Sequence, residues 1–398
     1  MRTTGTTARG IRAPMIRPGD ELAAIVADSV LAACENEGFV LRDRDVVGVT
    51  EAVAARAQGN FATAAQIAAD IRAKFPAGEL AVLFPILSRN RFGNLLKGIA
   101  AGCKKLTIVL SYPSDEVGNQ LIGWDAIDAA GINPYTDVLD EKRYRALFGY
   151  DNKHPFTGLD YAEYYKSFGR HIRLLFANDP RAVLDYTKHV LCCDIHTRHR
   201  TKRILRAAGA ETVFGLDDIL TAPVEDPQRA GSGSGWNAQY GLLGSNKATA
   251  DSVKLFPRDC DMLVVDIQRR LFERTGKTVE VMVYGDGAFK DPAGGIWELA
   301  DPVVSPAYTA GLDGTPNELK IKYLLDNELA GKSAAETLAA MKDAISHKAA
   351  DPGDRALGTT PRRFTDLLGS LCDLMSGSGD KGTPIVLVSG YFDNYADT

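Results

Sequence analysis

Asp286 has the surroundings that a metal and phosphate site needs. It follows residues 278–284, whose apolar alternation predicts a strand, and it stands between Gly285 and Gly287. A hard divalent cation prefers oxygen ligands, and an aspartate at the carboxyl end of a strand presents one with little freedom to move. The glycines would let phosphate oxygens approach the backbone, and Lys290 could neutralise charge during phosphoryl transfer. The same residues are also typical of a turn that caps the next element, and by themselves they favour that turn.

A second polar group, Ser245, Asn246 and Lys247, follows a glycine-serine run at residues 231–235. The hydroxyl and the amide could contact a nucleotide, and the lysine could reach a phosphate. Serine and asparagine in loops also bond to their own backbone, and an exposed lysine needs no special role, so both interpretations stay open. The glycine-serine run could wrap phosphates with its amides, but a flexible linker is the favoured interpretation.

A basic helix is predicted at residues 197–208, directly after a strand at 190–195. Its first amides could bind an anion above the sheet edge. His196 and His199 are three residues apart and could instead bind a metal, although no third ligand motif accompanies them. A solvated basic helix face is the favoured interpretation.

Helices and apolar strands alternate between residues 62 and 221, which predicts βαβ units and a parallel sheet. The clearest predicted strands there are at 80–84, 106–110, 190–195 and 211–214. Outside this stretch, helices are predicted at 21–36, 261–275, 319–329, 334–348 and 360–375. Strands are predicted there at 46–50, 278–284 and 384–388. The fold class is therefore α/β.

The composition excludes several classes of protein. With 398 residues and 45% hydrophobic side chains, the chain can form more than one lobe. A net charge of −5 argues against nucleic acid held by a global basic field. No apolar run reaches the roughly 20 residues that span a bilayer, so no membrane partner is expected. Six cysteines lack CxxC spacing, which predicts a reduced, cytoplasmic protein.

Separated segments of the chain resemble the coenzyme F-420:glutamate ligase (γ-glutamyl ligase) family in the family's own order. They are residues 16–22 with 45–60, 236–259, 276–290 and the closing strand at 383–390. In the second segment Ser245 and Asn246 match the family's loop, whereas its metal-binding aspartate falls near Leu243. In the third segment Asp286 falls on a metal-binding aspartate, and Lys290 falls on a basic residue.

The resemblance implies a ligase-like core with an inserted α/β segment. Its expected parts are residues 1–60, an α/β middle segment at 61–230, and residues 231–398 with the metal and nucleotide site. It implies Mg²⁺ or Mn²⁺ bound by Asp286, and GTP or ATP as co-substrate. The expected reaction joins an amino acid, glutamate, to a small-molecule carboxylate through an acyl phosphate. A homodimer with the site near its interface is also implied.

Two other functions stay open. The middle α/β segment could bind NAD(P) in an oxidoreductase, but no GxGxxG motif follows its strands. Alternatively, the chain is a non-catalytic nucleotide- or anion-binding protein that kept the ligase fold and lost the metal aspartate near Leu243.

Overall fold

The structure is a computed structural model, and it describes most of the chain. The described residues are 4–154, 157–226, 235–286, 303–350, 353–356, 362–377 and 379–397, with only the backbone described at 286, 303–305 and 397. The predicted site residues Gly287 and Lys290 therefore lie outside the described residues, as does the side chain of Asp286.

The described residues form strands from both ends of the chain and from its middle. They are β1 Thr7–Ile11, β2 Val46–Thr50, β3 Phe61–Thr63, β4 Glu79–Leu83, β5 Lys105–Leu110, β6 Leu139–Asp140, β7 Ile172–Phe176, β8 His189–Cys192, β9 Thr212–Gly215, β10 Asn246–Lys247, β11 Ser252–Lys254, β12 Glu280–Asp286, β13 Val303–Tyr308 and β14 Ile385–Ser389.

Helices alternate with these strands over much of the chain. They are α1 Leu22–Glu37, α2 Glu51–Ala57, α3 Ala64–Lys74, α4 Phe92–Ala101, α5 Trp124–Ala129, α6 Glu141–Phe148, α7 Tyr161–Lys166, α8 Arg198–Ala207, α9 Cys260–Thr275, α10 Ile321–Tyr323, α11 Ala334–Ser346 and α12 Phe364–Met375. In the part of the chain that the structure describes, no helix is both long and apolar enough to cross a membrane.

The chain divides into two compact units. Among the described residues, the terminal unit contains 4–57, 259–286 and those from 303 onward, and the middle unit contains those between 58 and 258. The expected change from middle segment to ligase-like core was at residue 230, whereas the compact units change at Arg258. The reason is that β10 and β11 pair with β3 in a small antiparallel sheet, which keeps residues up to 258 in the middle unit.

The terminal unit is built on a sheet that runs, among the described residues, in the order β1-β14-β2-β12-β13. Only β2 and β12 are parallel, and Val46 pairs with Glu280 at one end of their ladder while Thr50 pairs with Tyr284 at the other. The apolar alternation predicted at 278–284 is thus a strand, β12, that starts two residues later. The β-branched prediction at 46–50 is confirmed by β2.

Both faces of this sheet are covered, which explains why its inner strands β2 and β14 are almost continuously apolar. Helices α1 and α9 cover one face, where Val26 and Ile267 pack against Val47 and Val281. Helix α12 covers the other face with Leu368 and Cys372. Gly48 allows α12 to approach closely, because a Cβ there would lie 2.6 Å from the Cys372 Sγ atom.

The middle unit confirms the predicted parallel sheet. Its larger sheet runs β6-β7-β5-β4-β8-β9, in which every pair is parallel except the edge pair β6-β7. The chain starts in the centre with β4, moves outward through β5 and β7, and then returns to the other side of β4 as β8. This is a doubly wound order, and its direction reverses between β4 and β8.

The structure differs from the sequence prediction at the helix expected at 319–329. Only α10 is a regular α-helical turn there, and Leu324–Glu328 forms a wider turn. The amide of Leu329 bonds to the carbonyl of Leu324, five residues earlier, which interrupts the regular ladder.

Candidate functional site

The carboxyl ends of β2 and β12 meet in the terminal unit. Because the two strands are parallel and pair up to Thr50 and Tyr284, the residues that follow, Glu51 and Gly285, belong to the same edge of the sheet. Carboxyl ends of parallel strands are common positions for ligand-binding groups. This edge is therefore where the chemistry of the terminal unit is expected.

Glu51 is a buried acid at this edge that sequence reasoning did not single out. It begins α2, and only 3% of its surface is exposed. A Cβ at Gly285 would lie 2.0 Å from the Glu51 Cγ atom, so a glycine is needed there for this side chain to fit. A carboxylate that has lost its water shell is costly unless a cation or hydrogen bonds compensate it.

Asp286 is the last residue of β12, one position beyond Gly285. Its backbone pairs with Val303 of β13, and the ladder has an irregularity between Val283 and Gly285. Such irregularities are frequent next to active sites, because they change the direction in which the following side chain points. The metal role of Asp286 and the phosphate roles of Gly285, Gly287 and Lys290 stay predictions.

Cys260, at the start of α9, is held protonated near this edge. Burial raises the pKa of its thiol to about 12, and the carboxylates of Asp261, Glu51 and Asp259 add to the shift. A protonated thiol is neither a nucleophile nor a good metal ligand. No group of three or more His, Cys, Asp or Glu side chains with metal-binding spacing exists within the described residues. A cation at this edge would need Glu51 together with groups such as the Asp286 carboxylate.

Ser245, Asn246 and Lys247 lie in the middle unit, where the structure shows their local contacts. The Ser245 hydroxyl is buried and donates to the carbonyl of Leu242 at 2.8 Å. Asn246 and Lys247 form β10, and Lys247 is exposed. Leu243, at the position of the family's loop aspartate, is buried in an apolar core and offers no ligand.

Gly244 fixes the course of this loop. Its φ is +67°, and a Cβ there would lie 1.7 Å from a carbon of the Phe256 ring. A side chain at this position would therefore meet both an unfavourable backbone conformation and a severe clash.

We expect Gly244→Ala to lower the free energy of unfolding by about 2–5 kcal/mol, the sum of left-handed strain and overpacking. Gly209→Ala is the matched control, because Gly209 has a φ of +91° with nothing within 4 Å of a Cβ. That control should lose only about 1–2 kcal/mol. Urea denaturation of both variants measures the difference, and equal losses would show that the Phe256 contact does not restrict position 244.

Asn60 joins two parts of the middle unit that are far apart in the sequence. Its side chain is fully buried and donates to the carbonyl of Phe256 at 2.6 Å, while its oxygen accepts from the amide of Trp236 at 3.0 Å. The Arg258 guanidinium also donates to that oxygen, and it lies 4.9 Å from the Trp236 ring centroid. The segments around residues 60 and 236–258, both part of the family resemblance, are thus neighbours in space.

The direction of the parallel sheet reverses between β4 and β8, and the Glu116 side chain binds the backbone just after β8. Glu116 accepts from the backbone amides of Ile195 and of His196, the latter at 3.2 Å, just before α8. The Asp194 carboxylate below them accepts from the hydroxyls of Thr197 and Thr201 at 2.6 and 2.7 Å. These two amides precede α8, so the start of this segment binds an acid of the protein itself, and anion binding by the first amides of the helix stays a prediction.

Burial raises the pKa of Glu116 to about 7, and the nearby charge of Asp194 adds to the shift, although the Ile195 amide opposes it. An acid with a raised pKa stabilises the folded state fully below its unfolded pKa, about 4.5. That contribution is lost as the pH rises through about 7.

We expect the free energy of unfolding to lose about 3 kcal/mol from this group between about pH 4.5 and pH 7. Urea denaturation across this range measures the loss. Glu116→Gln has nearly the same shape but no proton to lose and so acquires no buried charge, and its stability should therefore fall less steeply over the same range. Identical pH profiles for the two proteins would contradict the burial of a titrating carboxyl at this position.

A family model described as F420-0:Gamma-glutamyl ligase matches residues 10–390 of the chain. The matched residues include the carboxyl ends of β2 and β12 with Glu51, and also the loop at Gly244. No curated protein matches the chain.

Proposed function

Because the chain belongs to the F420-0:gamma-glutamyl ligase family, we propose that it uses a nucleoside triphosphate to join an amino acid to a carboxylate. The family is one of ligases, and ligation of this kind needs activation, because a carboxylate does not react with an amine near neutral pH. Transfer of the γ-phosphoryl group to the carboxylate gives an acyl phosphate and a nucleoside diphosphate. Attack by the amine then forms the amide and releases phosphate.

The observation that supports this proposal is the buried Glu51 carboxylate beside Gly285, at the edge where β2 and β12 end. Oxygen donors held rigidly at a strand end suit Mg²⁺ or Mn²⁺. Glu51 and Asp286 would hold the cation, which would offset the charge of the transferred phosphoryl group. Because Glu51 is buried directly after β2, its geometry is fixed before substrate arrives. Such preorganisation favours electrostatic catalysis.

The remaining predicted residues are assigned to the nucleotide and to phosphoryl transfer. Lys290 would neutralise charge on the transferred group, and Gly287 would allow phosphate to approach the backbone. Lys247 is exposed and carries a charge that suits phosphate, while Ser245 uses its hydroxyl within its own loop. We therefore expect Lys247 and Asn246 to contribute more to nucleotide affinity than Ser245 does.

The direct test is phosphate release by the full chain with GTP or ATP, Mg²⁺ or Mn²⁺, glutamate and a panel of carboxylates. GTP or ATP should also raise the melting temperature only when the metal is present. At about 100 times the dissociation constant, the stabilisation should reach about 2.7 kcal/mol. Nucleotide stabilisation that is the same with and without metal would remove the metal-bound triphosphate from the proposal.

The NAD(P) alternative gains one supporting observation, the doubly wound order of the middle sheet. It is opposed by Glu116, which occupies the amides where such sheets bind a phosphate. Stabilisation by NAD(P) without metal would favour the oxidoreductase. Nucleotide binding without any phosphate release in the presence of all substrates would favour the non-catalytic binding protein.

A further inference from the structure

A basic pocket lies in the middle unit, at the amino ends of the parallel strands β4, β5 and β7. Its volume is about 350 Å³, at the lower end of the range of roughly 300–1,000 Å³ for sites that hold small molecules. The side chains that matter for its chemistry are Glu79, Lys105, Thr107, Arg170, Arg173 and Tyr186. We call the space that they line the amino-edge pocket.

The strand register places Thr107 and Arg173 side by side in this pocket. Thr107 of β5 pairs with Ala81 of β4 on one side and with Arg173 of β7 on the other. Side chains of paired residues lie on the same face of a sheet, and the small Ala81 leaves space beside the other two. Farther along this face, Val109 and Leu175 belong to an apolar core. The two polar side chains therefore stand where the apolar core ends and the pocket begins.

Thr107 brings a hydroxyl that the protein does not use. Only 9% of the residue is exposed, and within the described part of the chain its hydroxyl makes no hydrogen bond. A largely buried hydroxyl without a partner is costly. Since Thr107 lines the pocket, a ligand that accepts hydrogen bonds would remove this cost.

The charges of the pocket do not balance. Glu79 forms an ion pair with Lys105, whose hydrogen bond and charge lower the pKa of the Glu79 carboxyl, so these two charges cancel. Arg170 and Arg173 have no carboxylate partner among the described residues. The Arg173 guanidinium lies 5.1 Å from the Tyr186 ring centroid, a contact that orients it and leaves its N–H groups available. The pocket therefore carries two uncompensated guanidinium groups.

Bases at this edge could instead serve the ends of helices, because helices that connect parallel strands end at the amino edge of the sheet. His171 has this role, since its Nε2 atom lies 3.0 Å from the carbonyl of Ala100 in the last turn of α4. Neither Arg170 nor Arg173 bonds to a carbonyl within the described residues. Their guanidinium groups are thus available to a ligand.

We propose that the amino-edge pocket binds a phosphate group through Arg170, Arg173 and the Thr107 hydroxyl. A guanidinium presents its N–H donors in a fork that matches two phosphate oxygens, and the hydroxyl adds an uncharged donor. Two positive charges match a phosphate dianion, whereas a single carboxylate would leave one of them uncompensated. The phosphate is either the free ion or part of a small phosphate monoester. None of these residues has a role in the proposed ligase reaction, so this binding site does not depend on it.

Calorimetric titration of the full chain with inorganic phosphate and with ribose 5-phosphate tests the pocket. EDTA is included, because the proposed triphosphate site needs a metal and should then stay empty. We expect a dissociation constant of about 1 mM or below for at least one of the two compounds. Equal affinities would identify the free ion as the ligand, and tighter binding of the ester would identify a phosphate monoester. Binding of neither compound would overturn the proposal.

The double variant Arg170→Gln/Arg173→Gln should bind phosphate about 100-fold more weakly or worse, because two charge-assisted contacts are lost. Both arginines are exposed, so the variant should fold like the wild type. The matched control is Arg143→Gln/Arg203→Gln, which removes the same charge from exposed positions of α6 and α8 in the same unit. The control should bind like the wild type. Equal losses in the two variants would indicate attraction by net charge alone and would overturn the proposal.

Thr107→Val tests the position of the phosphate within the pocket. Valine keeps the shape of threonine but has no hydroxyl, so the affinity should fall by about 2–10-fold, the effect of one hydrogen bond. The melting temperature without ligand should not fall, because no hydrogen bond within the described protein is lost. Unchanged affinity would overturn the assignment of Thr107 to the phosphate site.

Discussion

The variant Asp286→Asn is expected to fold like the wild type and to lose about 10²–10³-fold in ligase turnover, the usual cost of removing one preorganised electrostatic group. The physical reason is that an amide oxygen is a much weaker ligand for Mg²⁺ or Mn²⁺ than a carboxylate at the end of β12. The stabilisation that GTP or ATP gives in the presence of metal should fall with it. Steady-state phosphate release and melting temperatures with and without metal measure both effects.

Asp326→Asn provides the control for that experiment, because it makes the same chemical change at an exposed position of the terminal unit. It should leave turnover and nucleotide stabilisation unchanged. If Asp286→Asn behaves like this control, Asp286 has no part in the metal site, and the ligase chemistry must depend on other acids.

Glu51→Gln is expected to lower turnover by about 10²-fold, with a smaller effect on folding. Glutamine fills the same space beside Gly285, so packing is retained while the charge that would hold the cation is lost. The loss should appear in turnover and in the metal concentration needed for half-maximal activity. Titration of activity with Mn²⁺ separates these two effects.

The matched control is Glu280→Gln, at the opposite end of β12. Glu280 is also buried, with 6% of its surface exposed, and it accepts a hydrogen bond from the Thr309 hydroxyl. Its replacement should change stability but leave the metal dependence of activity as it is. Equal losses of metal affinity in both variants would mean that the Glu51 effect comes from general disturbance of the strand.

Strand positions in the terminal unit could be predicted because their side chains are buried on both faces. Residues 46–50 and 384–388 are nearly continuous apolar runs, and β2 and β14 are found within one residue of them. The pairing of these strands could not be predicted, since it joins residues 46–50 to 280–284, more than 200 positions later. Local patterns carry no information about such distant partners.

Residues 135–168 could not be assigned from the sequence, and the structure shows why. The helices there, α6 and α7, are short, so their apolar periodicity covers barely two turns. Their position depends on aromatic packing instead. Tyr144 of α6 stacks on Phe176 of β7, with ring centroids 3.8 Å apart.

The candidate site was predictable only in part. Asp286 could be singled out as a candidate because it follows an apolar run and stands between glycines, and its role stays a prediction. Glu51 was missed because its burial depends on residue 285 being a glycine without a Cβ. No local pattern around residue 51 reveals that distant neighbour. The hydrogen bonds of Asn60 could not be predicted either, because its partners Phe256 and Arg258 are distant in the sequence.

Because the paired strands of the terminal unit are far apart in the sequence, its sheet can form only after the later strands have been synthesised. Strand β2 leaves the exit tunnel before its neighbours β12 and β14, which begin at Glu280 and Ile385, are synthesised. At about 5–20 residues per second, β2 waits for roughly ten seconds or more before β12 exists to pair with it. During that time a largely apolar strand has no partner, so the nascent chain should depend on chaperones more than a protein of similar size with consecutive domains.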